Sequence, residues 1–229
     1  MIRRSRTPRI SQGYLLAGRA RRLPGKFLLP VGGVPVVLRA ARALRAAGLD
    51  VTVVSVAPID LPGLRVLRDR YEVGPLGGLA TILDTGARRF FLAGADMPFL
   101  DPYSVKRMRT NFDGRCLVPL RPSGELEVLH AIYAGVDRRA VEALLRRRAG
   151  LKTLVAEEAR RGNVRFLGLR GFPPETFVDL DTPADYARWT HRATASRPST
   201  LRPQAPETPR SRSQATLVGS VADSCVNDP

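Results

Sequence analysis

Only three lysines serve this chain of 229 residues, and one of them, Lys26, closes a loop crowded with arginine. Leu15 to Gly33 reads LLAGRARRLPGKFLLPVGG: an apolar run, a turn at Gly18, arginines at 19, 21 and 22, then Gly25-Lys26. Backbone N–H groups in a glycine turn after a strand can point at phosphate. Lysine adds a mobile point charge there, while arginine can grip two oxygens. Further along, AGADMPFL sets Asp96 directly behind the apolar run FFLAGA, and VDLDTPADY carries Asp179 and Asp181. A buried strand at FFLAGA would deliver the Asp96 carboxylate to the edge of a sheet. Cations in one loop and carboxylates behind a strand suit chemistry on phosphates and other anions, where positioning and charge stabilisation do most of the work. Asp181 has a second reading as the cap of a helix beginning near Pro183, because aspartate is a preferred N-cap.

Standard nucleotide motifs do not account for the loop. A Walker A sequence needs glycine at position 20 and Ser or Thr at 27, which hold Ala20 and Phe27. The dinucleotide fingerprint needs glycine two after Gly18, where Ala20 again stands. The net charge of +16 raises local concentrations of anions without choosing among them. No zinc-finger spacing or aromatic-rich RNA-binding signature accompanies it, so nucleic acid is not the expected partner. Cys116 and Cys225 fit neither a disulfide framework nor a metal knuckle, and no apolar run reaches the roughly 18 residues that a membrane span needs. A basic N-terminus without an apolar core is no signal peptide, and a cytoplasmic setting follows. His130 and Arg146 to Arg148 receive no chemical role.

These side chains need a scaffold, and the hydrophobic pattern supplies one. Strands are expected at 13–17, 51–56, 64–67, 90–95, 116–120, 128–133 and 164–169. Helices are expected at 35–47, 76–85, 102–110, 138–148, 152–161 and 183–190. Alternation of this kind predicts an α/β fold with a largely parallel sheet covered on both faces. Ligands then sit beyond the carboxyl ends of the strands, so the loops 18–26 and 96–99 should gather on one edge. The expected organisation is a basic arm at 1–12, one domain at 13–193 and a disordered Pro/Ser/Arg-rich tail at 194–229.

The loop resembles the opening signature of the MobA-like nucleotidyltransferases, the family that contains molybdenum cofactor guanylyltransferase. The likeness continues in order through Asp69 and GPLGGL (Gly74 to Leu79), AGADMPFL, GELEVLHAIY and VDLDTPADY, spanning about Gly13 to Thr190. It implies a Rossmann-like three-layer nucleotidyltransferase fold. It implies that Leu16, Ala17, Gly18, Lys26, Asp69, Gly74, Gly77 and Asp96 bind the nucleotide, and that Gly78 beside them admits the ligand closely. Lys26 and Arg22 would hold the triphosphate, Asp69 would accept from the base, and Asp96 with Asp181 would hold Mg2+. The implied reaction transfers GMP from GTP to molybdopterin and releases pyrophosphate. Arg19 stands where the family carries a second glycine, and Asp179 and Asp181 stand where guanylyltransferases commonly have asparagines. A CTP-using cytidylyltransferase, a GTP:cobinamide-phosphate guanylyltransferase and a non-catalytic nucleotide-binding or nucleic-acid-binding protein therefore stay open.

Overall fold

The computed structural model describes residues 9–19 and 22–195, with side chains to residue 190. Most of the expected basic arm, Arg21 and the expected tail beyond residue 195 lie outside the described residues. Strand β1 (Gln12–Ala17) lies inside a seven-stranded sheet with β4 (Asp50–Ser55), β5 (Arg65–Arg68), β6 (Arg89–Gly94), β7 (Cys116–Leu120), β8 (His130–Ala134) and β9 (Val164–Gly168). The order is β5-β4-β1-β6-β8-β7-β9. The pairs β1–β4, β1–β6, β4–β5 and β7–β9 are parallel, as the alternating pattern predicts. Strand β8 departs from it, running antiparallel to both β6 and β7. That reversal brings the start of β8 beside the carboxyl end of β6, so Leu129 reaches the same edge as Asp96.

Side chains alternate across the sheet and fill two cores. Leu15, Val53 and Phe91 pack on the face covered by α1 (Val36–Ala46) and α3 (Pro102–Thr110). Tyr14, Val54 and Leu92 pack on the other, against α2 (Pro75–Asp84), α4 (Arg138–Arg146) and α5 (Leu151–Arg160). Burial on both faces explains why VTVVSV and FFLAGA read as continuous apolar runs without polar alternation. The final helix, α6 (Pro183–Ala195), stands apart from these layers, and Trp189 and Leu180 join a small cluster with Val31 and Val36.

One element was absent from the sequence expectation. Strands β2 (Pro30–Val31) and β3 (Val34–Pro35) form a hairpin whose two-residue turn is Gly32-Gly33, at φ 61° and 77°. Positive φ at both turn positions matches the twist of a tight hairpin, and glycine adopts it without strain. The hairpin returns the chain from the Lys26 loop to the start of α1.

Candidate functional site

Chain order around β1 creates the site. From β1 the chain moves outward to β4 and β5, then returns to β6 on the opposite side. Such a switch in direction leaves a crevice beyond the carboxyl ends of the strands. A cleft of about 500 Å³ occupies that place. Leu16, Ala17 and Gly18 form its floor, and Arg22 and Lys26 enter from the loop that follows. Asp69, Gly74 and Gly78 line one wall, with Asp96 and Asp181 on the other side. The loops 18–26 and 96–99 therefore meet at one sheet edge.

Lys26 is the hub. Its ammonium lies 2.5 Å from Asp96 Oδ2 and 2.7 Å from Asp181 Oδ1. Arg22 Nη2 reaches the other oxygen of Asp181 at 3.4 Å. Lys26 and Asp96 are only 13% and 19% exposed, so water screens their attraction poorly. Burial alone would lower the Lys26 pKa, but the neighbouring Asp96 and Asp181 carboxylates outweigh it and raise the value. The ammonium thus stays protonated through neutral pH. Asp179 opens to solvent on one side. Desolvation on its packed side, then the charges of Asp96 and Asp181, push its carboxyl up to about 7, against the pull of Lys26.

Local structure explains how each carboxylate arrives. Asp96 follows β6, and its backbone carbonyl accepts from Leu180 N at 3.1 Å, which ties the 179–181 segment to the strand end. The Asp96 side chain leans over Gly94, where any Cβ would collide with it. The helix-cap alternative for Asp181 is resolved by its neighbours. Thr182 and Asp185 bond reciprocally at the start of α6, with Thr182 N donating to Asp185 Oδ2 at 2.9 Å and Asp185 N donating to Thr182 Oγ1 at 3.1 Å. This is a capping-box arrangement, and it leaves the Asp181 carboxylate to Lys26 and Arg22. Asp101 likewise caps α3, accepting from Tyr103 N and Ser104 N.

Asp69 is buried, and its Oδ1 accepts from Tyr71 N at 2.9 Å, Glu72 N at 3.3 Å and Thr81 Oγ1 at 2.9 Å. These bonds shape the loop before α2 as well as placing a carboxylate on the cleft. Gly74 begins α2 at φ 73° and ψ −163°, a conformation essentially reserved for glycine. Gly77 departs from the expectation of a ligand contact. Its missing Cβ faces Tyr71 and Val73, each at 3.1 Å, and the glycines on the cleft wall are Gly74 and Gly78. Close packing of the loop against α2 is the reason for Gly77. Sequence reasoning missed Glu72 and Leu129 as cleft residues. Neither belongs to a residue type or spacing that signals a site, because their places depend on loop shape and on the reversed strand.

Two carboxylates flanking a cation position are a fit for Mg2+, since the ammonium of Lys26 occupies the place between Asp96 and Asp181. Among the described residues no group of three or more His, Cys, Asp or Glu is arranged to enclose a metal. An ion here would therefore depend on water and phosphate oxygens for the rest of its shell, which suits magnesium with a nucleotide.

A family model described as the MobA-like NTP transferase domain matches residues 14–162. A "Probable molybdenum cofactor guanylyltransferase" of Thermococcus kodakarensis is 30% identical over 202 residues, covering 82% of this chain and 98% of the relative. A "Molybdenum cofactor guanylyltransferase" of Cereibacter sphaeroides is 30% identical over 190 residues, covering 77% and 93%. Among solved structures, the molybdopterin-guanine dinucleotide biosynthesis protein A of Archaeoglobus fulgidus superposes with a TM-score of 0.64 at 18% identity, covering 80% of this chain and 99% of that one.

Proposed function

This chain is a nucleotidyltransferase of the MobA-like NTP transferase family, and on that premise we propose that it transfers GMP from GTP to molybdopterin with release of pyrophosphate. The observation that carries the proposal is the convergence of Lys26, Arg22, Asp96 and Asp181 at the switch point of the sheet. The relatives' names favour molybdopterin as acceptor and guanine as base, and the charges of the cleft suit a nucleotide.

The triphosphate lies along the loop after β1, where Lys26 and Arg22 exchange their carboxylate partners for phosphate oxygens. The amino end of α2 presents N–H groups and a favourable dipole to the same anion. Asp69 faces the base, and a guanine N1–H and exocyclic amine suit a carboxylate acceptor. Asp96 and Asp181 would hold a magnesium ion, which supplies neutralisation of charge on the reacting phosphates. An acceptor phosphate oxygen forms its bond to the α-phosphorus while the bridging bond to the β-phosphate breaks. The departing pyrophosphate takes that electron pair and remains beside Lys26. The protein's task is to bring two anions together in line, which demands fixed cations more than covalent chemistry.

Product analysis by mass spectrometry tests the assignment. With Mg2+ and molybdopterin, GTP should yield the guanine dinucleotide, with far less product from CTP. Cobinamide phosphate as acceptor should give none. A preference for CTP, or for cobinamide phosphate, would replace the substrate assignment while leaving the site in place.

A further inference from the structure

The lip of the cleft carries an ion pair that the transfer reaction leaves unused. Arg19, immediately after Gly18, sets Nη2 at 2.8 Å from Glu72 Oε2. Arg68 Nη2 stands 3.4 Å from the other carboxylate oxygen. Arg19 and Glu72 both line the cleft, but they come from facing walls, one from the loop after β1 and the other from the loop before α2. The pair spans the mouth between them.

Glu72 is placed there at some cost. Its φ of 51° lies in the left-handed region, unfavourable for a residue with a side chain. The Asp69 carboxylate maintains that conformation by accepting from the N–H groups of Tyr71 and Glu72. Strained backbone held by surrounding bonds tends to mark functional positions. Stability does not explain the pair, because Arg19 is 75% exposed and exposed ion pairs add little. Charge does. Without Arg19 the carboxylate would keep only the longer contact to the exposed Arg68, and its remaining charge would repel a triphosphate at short range, with a penalty that grows with each phosphate.

We infer that Arg19 is a positioning residue that neutralises Glu72 and pins it to the loop after β1, so that the mouth of the cleft admits polyanionic nucleotides. This rests on the nucleotide reading of the cleft. The consequence is a charge ladder. Loss of Arg19 weakens ligands in the order GTP, GDP, GMP, and leaves guanosine untouched. Loss of Glu72 acts in the opposite direction.

Equilibrium binding of guanosine, GMP, GDP and GTP to the full chain at low salt tests the inference in R19Q, E72Q and R19Q/E72Q. R19Q should weaken GTP about fivefold and guanosine not at all, with the loss shrinking as salt is added. E72Q should tighten GTP, and the double variant should return to within about twofold of the parent. Equal losses for guanosine and GTP would mean that the pair only braces the loops, and would overturn the inference. A loss that persists in the double variant would overturn it too, because Arg19 would then touch phosphate directly. Unchanged GTP affinity in R19Q with a parent that binds GTP well would also sink it. A parent that binds none of the four ligands would instead bring down the nucleotide reading beneath it.

Discussion

A single ammonium faces two carboxylates at the centre of this site, and that arrangement sets what substitution will do. Lys26→Met removes the cation from Asp96 and Asp181, leaving the 19% exposed Asp96 without its ion-pair partner. GTP affinity should fall at least about tenfold, and stability should drop by roughly 1–3 kcal/mol, read by isothermal titration and by urea unfolding. His130 offers a test away from the cleft. It is fully buried, its two ring nitrogens lack hydrogen-bond partners, and its ring meets the rings of Phe91, Phe172 and Phe177. Burial pushes its pKa down to about 3, against a weak opposing pull from Asp101. The unfolded chain takes up this proton near pH 6.5 and the folded chain does not. The neutral ring's contribution is therefore complete above about pH 6.5 and declines as the pH falls toward 3. His130→Phe should flatten that acid limb and raise stability at pH 7 by roughly 1–2 kcal/mol, since no orphaned nitrogen remains. An acid limb unchanged in the variant would assign the decline to other groups. The sequence made Lys26 and Asp96 legible through residue type and position behind apolar runs. It left Glu72 hidden, because a left-handed glutamate has no signature in composition or spacing.

Elements carry the second set of constraints. The turn from β6 to Asp96 works because Gly94 leaves room beneath the carboxylate. Gly94→Ala should displace Asp96 and cut turnover at least about tenfold, while stability falls by only about 1–2 kcal/mol. Activity and urea midpoint measured together separate the two effects, and a variant with full turnover would show that Asp96 can shift without consequence. Helix α2 begins at Gly74 with a backbone conformation that other residues enter only with strain. Gly74→Ala should therefore cost about 1–3 kcal/mol although a Cβ there would meet nothing within 4 Å. The strands and helices themselves could be read from periodicity, because most are buried on a consistent face. What escaped was relational. The antiparallel sense of β8 is invisible in HAIYA, which suits either direction. The Gly32-Gly33 hairpin has strands of two residues each, too short for any periodicity, and only its dihedral angles identify the tight turn.

The molecule as a whole joins a Rossmann-like sheet to a strongly basic chain. Among the described residues no helix is long and apolar enough to cross a membrane. Cations at the cleft are matched by carboxylates, so the excess of charge lies elsewhere. Stabilisation by ligand should follow occupancy of this one cleft. GTP with magnesium at 100 times its dissociation constant should add about 2.7 kcal/mol to unfolding stability, and the same GTP concentration should add no more than about 1.4 kcal/mol in Lys26→Met. The most direct test of the account compares pyrophosphate release by the parent chain and by Asp96→Asn, with GTP, Mg2+ and molybdopterin saturating. Steady release is expected from the parent and at least about a hundredfold slower release from the variant, with the melting temperature within a few degrees of the parent. A variant that releases pyrophosphate as fast as the parent would contradict it, because the reaction would then proceed without the carboxylate around which the site is built.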